Sequence, residues 1–371
     1  MYEEGKRPGE QVSAPSGSSG VVEVELAQGL GLLEALTIGI GTMIGAGIFV
    51  LPGFIIPRVG PAAVISFFLG GVVALLNALS AAEVATGMPK SGGGYYFISR
   101  ALGPLWGAII GWGSWFGLVF ASAFYAVGFG EYVATFVQIS PMYLALALTV
   151  LLILLNLTGS RAAGQAQNTI VFMLAAILLL FIVRGSIGAD LKLLTGPWTP
   201  HGWAIVFAGT ATLFVTYCGF GEIASMAEEI RNPGRNLPLA LLGSVIIVTV
   251  LYCGIVLICL ALRPYNELTG PTVVADLAED MMGSFGRVAI ILGAVAATVS
   301  SANASIMSAS RISFAMGRDS LIWSWLNVVH PRFRVPHRAI LVTGAMILGT
   351  LLIGRIELLA EAAGLLHLLP V

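Results

Sequence analysis

The sequence predicts an all-α integral membrane protein in which two helices, the first and the sixth, are interrupted near mid-membrane. Three observations carry that prediction. The chain is 57% hydrophobic and only 10% charged, with a mean hydropathy of +0.93, a composition outside the range of soluble domains. Its charges are separated by long gaps, such as those between Arg58 and Glu83, Lys192 and Glu222, or Arg235 and Arg263. Glycines then gather in the middle of two of those gaps.

The gaps define nine apolar spans, at 35–57, 62–86, 103–130, 142–159, 167–187, 203–227, 237–262, 286–311 and 339–354. None alternates with the period of two that marks outer-membrane strands, so each reads as a helix. Residues 1–34 are rich in Pro, Ser, Gly and Glu and carry no apolar core. They read as a disordered cytoplasmic tail rather than a signal peptide. A tenth span begins near Leu358 and stops at Val371 after about three turns, too few to cross a bilayer. On this reading the tenth helix is incomplete and the chain is C-terminally truncated, hence poorly stable and inactive unless extended.

Span 1 contains Gly39, Gly41, Gly45 and Gly47 within nine residues. Each glycine inside a helix costs about 1 kcal/mol relative to alanine, and unwound backbone at membrane depth leaves polar groups that hydrocarbon cannot satisfy. Span 6 repeats the feature in Phe214-Val215-Thr216-Tyr217-Cys218-Gly219-Phe220-Gly221-Glu222. Two interrupted helices five spans apart point to an inverted repeat with a binding site between the breaks. Close helix packing through Gly41-x-x-x-Gly45 is the competing account of the glycines.

The remaining composition excludes more than it selects. A net charge of −1 gives no footprint for nucleic acid. Cys218, Cys253 and Cys259 all fall inside spans and form neither a disulfide framework nor a metal site. No Gly-x-Ser-x-Gly or His-Glu-x-x-His motif is present, which argues against an intramembrane enzyme, and no repeated filter motif supports a channel. With the N-terminus inside, the cytoplasmic loops hold ten Lys and Arg against six outside, so an N-inside, multi-pass protein of the cell membrane is expected.

Several motifs resemble those of the amino acid–polyamine–organocation (APC) superfamily of permeases. Ile44-Gly45-Ala46-Gly47-Ile48-Phe49 is similar to the family's first-helix motif, and Glu83 with Pro89-Lys90-Ser91-Gly92-Gly93-Gly94-Tyr95 to its second-helix exit. Tyr217-x-Gly219-Phe220, followed by Ala227-Glu228-Glu229-Ile230-Arg231-Asn232-Pro233-Gly234-Arg235-Asn236-Leu237-Pro238, resembles the sixth-helix signature. Ser310-Arg311, Ala315-Met316-Gly317-Arg318-Asp319 and His330-Pro331-Arg332-Phe333 resemble the eighth helix and the loop after it.

The resemblance implies a leucine-transporter-like fold of two inverted five-helix repeats, 35–187 and 203–371, and a permease that moves amino acids by alternating access. A non-transporting relic and a polyamine or organic cation exchanger are the alternatives. The substrate would bind at Ile44, Gly45, Ala46, Gly47 and Ile48 through its carboxylate, since free amides at a half-helix N-terminus suit an anion. Its ammonium would meet the carbonyls of Thr216, Tyr217 and Cys218 beside Gly219. Phe220 would either cover it as a lid or simply pack.

Some family members carry a lysine in the fifth helix, six residues after an Asn. Here Asn168 leads to Leu174, so that proton carrier is absent. No resident cofactor or metal is expected. Coupling would use sodium near Ser300 and Ser301 or a proton on Glu222, although hydroxyls can also be helix glue and Glu222 can be a solvated helix end. Glu83 is expected to pair with an inside-loop arginine. The expected partners are a small-molecule amino acid and the lipid bilayer; oligomeric state and preferred amino acid stay open.

Overall fold

The computed structural model describes residues 26–353 apart from 46, 135, 195, 196 and 271. Of the tail expected at 1–34, residues 1–25 lie outside the described residues, as does the tenth helix expected from near Leu358; residues 26–34 are ordered, with Leu26 and Leu30 buried and the first helix starting at Leu32. Among the described residues no β-strand forms, and seven helical segments are long and apolar enough to cross a membrane. They are Leu32–Val50, Ala63–Gly87, Pro104–Ala134, Ser160–Ile187, Trp203–Ser225, Pro233–Leu262 and Ser284–Arg318. Pro141–Leu157 and His337–Ile353 are shorter apolar helices at the positions of spans 4 and 9.

The packing follows the repeat. Span 1 packs on span 6, span 2 on span 7, span 3 on span 8, and span 4 on span 9. Each of the first four spans thus meets the one five further on. Short helices Gly94–Leu102 and Val273–Met282 occupy matching places, between the second and third spans of each half. Outward-facing Leu76, Leu151 and Val250 are each more than 60% exposed. In a bilayer such side chains lie against lipid, so hydrophobicity selects membrane insertion and interior packing selects the arrangement.

Charge is concentrated where the C-terminal ends of spans 6 and 8 meet. Arg311 is fully buried and grips Glu229 with Nε–Oε1 at 2.6 Å and Nη2–Oε2 at 3.1 Å, the planar two-bond geometry of a strong pair. Glu228 accepts from Arg318 at 3.0 Å and from the Ser91 amide at 3.1 Å, with Lys90 at 3.7 Å. Burial opposes the Glu228 charge, but Arg318, the Ser91 amide and Lys90 outweigh it and hold its carboxyl below the usual range. Stability drawn from this group is present above the ordinary glutamate pKa and is lost as pH falls through the lowered value. The chain entering span 1 joins the same cluster, as Leu30 N–H donates to Glu229 O and Arg231 N–H to Leu30 O. The triple glycine after Ser91 serves this contact. Gly93 has φ +53°, and a side chain there would press on the backbone of Ser225 at 3.1 Å.

Glu83 departs from expectation. It is exposed on span 2 and makes no ion pair among the described residues. Arg100, the arginine nearest to it in sequence, pairs instead with Asp319.

Breaking a buried pair by removing one partner costs about 3–5 kcal/mol, whereas replacing both with apolar side chains is far milder. Arg311→Met is therefore expected to lower the melting temperature sharply in detergent, and Glu229→Met/Arg311→Met to recover most of the loss. Equal losses in the single and double variants would contradict the pairing.

Candidate functional site

The first break is real and narrow. The helix Leu32–Ile44 ends at Gly45, whose backbone leaves the helical region with φ 2° and ψ −161°. Ala46 lies outside the described residues. The helix resumes at Gly47–Val50 and continues through Leu51, whose N–H donates to Gly47 O at 2.8 Å, into Pro52–Val59. Ile44 and Ile48 are buried on either side.

The second break differs from the unwound segment expected over Thr216–Gly219. Residues Val215–Phe220 form a 3₁₀ turn between Trp203–Phe214 and Gly221–Ser225. This tighter winding keeps carbonyls engaged that an unwound strand would have freed. In particular the Cys218 carbonyl accepts from Gly221 N–H and is not available as the open acceptor anticipated for an ammonium.

The two breaks touch. The Thr42 hydroxyl lies 2.9 Å from the Gly219 carbonyl. A Cβ on Gly219 would fall 2.8 Å from Met43 N and from Thr42 C, and one on Gly47 would fall 2.9 Å from Thr216 Cγ2. Only glycine permits this approach of span 6 to span 1.

Carbonyls near the span-1 break are satisfied by side chains from distant spans. Ser301 on span 8 donates to Gly41 O at 2.9 Å, and Tyr252 on span 7 donates to Met43 O at 2.6 Å. Tyr252 also sits against the Thr216 side chain, so one residue braces both breaks. Its ring packs on Tyr217 at 5.3 Å, and Tyr217 in turn donates to Phe67 O at 2.9 Å. Ser300 accepts from Gln167 Nε2 at 2.7 Å. The span-5 residue beside Gly41 is thus Gln167, while Leu174 is a fully buried core side chain.

Glu222 is buried, 7% exposed. Its Oε1 has Ser305 Oγ at 3.5 Å, and its Oε2 has no hydrogen-bond partner among the described residues. The solvated helix end is thereby excluded for this side chain. A cavity of about 300 Å³ lies against it, walled by spans 2, 3, 6 and 8 and by Gly92–Gly94. Cys218, Phe220 and Glu222 line this cavity, whereas Ile44, Gly45, Gly47 and Ile48 do not. The predicted residues therefore divide into a closed contact between the breaks and an open space on the span-3 and span-8 side of span 6.

Three residues escaped the sequence reading: Tyr252, Gln167 and Tyr125. Tyr252 and Gln167 brace the break, while Ser305, one of the span-8 hydroxyls, reaches Glu222. Tyr125 on span 3 lies 3.7 Å from where a Cβ on Gly45 would be, and within electrostatic reach of Glu222 and Cys218. Polar side chains inside apolar spans were the available signal, but many such residues bond only to their own helix.

A family model described as "Amino acid permease" matches residues 30–370. The chain is 32% identical over 365 residues to the methylthioribose transporter of Bacillus subtilis, covering 93% of this chain and 78% of that protein. It is 30% identical over 368 residues to the branched-chain amino acid permease BcaP of the same organism, with the same coverages. Cationic amino acid transporter 4, vacuolar, of Arabidopsis thaliana is 28% identical, with 87% and 58% covered. Among solved structures, a Na⁺-coupled sialic acid symporter in a substrate-bound outward-open state superimposes with a TM-score of 0.63 at 14% identity, covering 92% of this chain and 78% of that one. That likeness establishes the leucine-transporter-like fold.

The contact between the breaks can be tested without a substrate. Gly219→Ala forces a Cβ against backbone and is expected to cost about 1–3 kcal/mol, as overpacking does. Gly221→Ala, two residues on, meets nothing within 4 Å and should melt within a degree or two of the parent. Equal melting temperatures for the two variants would show that spans 1 and 6 do not meet at Gly219.

Proposed function

The chain belongs to the amino acid permease family, and from that premise we infer that it is a secondary active transporter that moves amino acids across the cell membrane by alternating access. The observation that carries this reading is the opposition of two helix interruptions, Gly45–Gly47 and the 3₁₀ turn Val215–Phe220, held together by glycine contacts and bracing hydroxyls. A structural helix pair gains nothing from breaks at this depth, since each unsatisfied backbone group costs several kcal/mol there.

On this reading the substrate carboxylate meets the amides of Gly45, Ala46, Gly47 and Ile48, where the half-helix resumes and its positive end favours an anion. The ammonium faces span 6 at Thr216 and Tyr217. Because the breaks touch, binding requires span 6 to withdraw from span 1, which parts Thr42 from Gly219. Phe220, on the cavity wall, then closes over the ligand. The side chain points to the space walled by spans 3, 6 and 8.

Coupling has two candidate places. Ser301 reaches the Gly41 carbonyl and Ser300 lies against Gly41 beside the Gln167 amide, so hydroxyl and carbonyl oxygens of the kind sodium takes as ligands gather there. Glu222 is the buried acid able to carry a proton. The N-terminus is assigned to the cytoplasm on the Lys/Arg bias of the loops.

Uptake of a panel of radiolabelled amino acids and of methylthioribose into proteoliposomes, with and without sodium and pH gradients, tests the reading. At least one amino acid is expected to accumulate. Gly47→Leu, which fills the carboxylate's approach, should abolish that uptake while the protein stays monodisperse. No amino acid uptake by the parent, or undiminished uptake by Gly47→Leu, would contradict it. Uptake indifferent to sodium, to pH and to Glu222→Gln would leave exchange as the transport mode.

A further inference from the structure

The cavity beside span 6 has an uneven chemistry. Leu118, Ile312, Phe97 and Phe220 give it apolar walls. Its lining also includes Glu222, with Oε2 unpartnered, and Ser114, whose buried Oγ lacks a partner as well. No Lys, Arg or His lines it among the described residues. An ionisable group buried without a counter-charge is costly unless a partner arrives. These unpaired oxygens face a space large enough for a side chain, and what would satisfy them is a donor bearing positive charge.

Span 3 connects this cavity to the break. Ser114, Leu118, Ser122 and Tyr125 recur at intervals of four, four and three, which places them on one helix face. That face starts in the cavity at Ser114 and reaches Gly45 at Tyr125. Ser122 Oγ, between them, is buried and unpaired as well. A ligand anchored by its carboxylate at Gly45–Gly47 would pass Tyr125, which lies beside Gly45 and within electrostatic reach of Glu222, and so direct the tip of its side chain toward that acid.

We propose that Glu222 receives the cationic end of the substrate side chain, so that the preferred substrates are amino acids with a flexible stem and a terminal amine or guanidinium. The apolar walls suit the methylene stem, as they do for lysine side chains lying along apolar surface. The proposal rests on the amino acid permease reading and adds the substrate class to it. It assigns Glu222 to recognition, leaving Ser300 and Ser301 as the coupling candidates.

Lysine and norleucine share a stem and differ in the ammonium, so their uptake ratio isolates the contact. In proteoliposomes the parent is expected to take lysine in preference to norleucine. A charge-assisted hydrogen bond makes the expected fall in that ratio about tenfold or more in Glu222→Gln, with no comparable fall in Ser114→Ala. Thermal shift of the parent, raised by lysine and unmoved by norleucine, gives a second readout should either variant fail to fold. A parent that prefers norleucine overturns the proposal. So does a ratio unchanged in a folded Glu222→Gln, including the case where that variant loses only the pH response of a proton carrier. A parent that accumulates leucine but neither probe overturns the cationic class and leaves the permease reading standing; a parent that accumulates no amino acid overturns both.

Discussion

A carbonyl released inside a membrane must find a donor, and much of this molecule is arranged around that requirement at the span-1 break. Gly41, Met43 and Gly219 each present a carbonyl near the interruption. Their partners, Ser301, Tyr252 and Thr42, come from spans 8, 7 and 1. The break is therefore a junction of spans rather than a local defect. Because hydrocarbon offers no alternative partner, each of these bonds is worth more to lose than to make.

The second organising element is the charged cluster at the C-terminal ends of spans 6 and 8. Glu229 with Arg311, and Glu228 with Arg318, Lys90 and Ser91, tie the lower half of span 6 to span 8 and to the loop after span 2. The same cluster takes in Leu30 at the entry to span 1. Span 6 is thus fixed at its C-terminal end by ion pairs and at its middle by close glycine contact. On the proposed mechanism the glycine contact is the one that must open, since it is made by van der Waals packing and a single hydroxyl, whereas the Arg311–Glu229 pair is buried and bidentate.

Much of the fold was legible because hydrophobic length and charge gaps report membrane spans directly, and the span-1 break because four glycines in nine residues have few other uses. The conformation of span 6 was less legible. Thr216–Gly219 was expected to unwind, yet it winds as a 3₁₀ turn, because Tyr217 and Gly219 are pinned by Phe67, Tyr252 and Thr42, which sequence spacing does not bring together. Glu222 could be named but not placed; its burial follows from the packing of spans 3 and 8 around it. Tyr125 and Tyr252 were invisible for a related reason. A tyrosine in an apolar span looks like any packing aromatic until the carbonyl or glycine opposite it is known.

The central claim is that the interrupted segments of spans 1 and 6 together hold the amino acid. A crystal structure grown with a saturating transported amino acid tests it most directly. The account predicts span 6 displaced from span 1 at Gly219, with the ligand carboxylate within hydrogen-bond distance of the amides at 45–48. A ligand bound elsewhere, with Gly219 still seated against Thr42 and Met43, would contradict it.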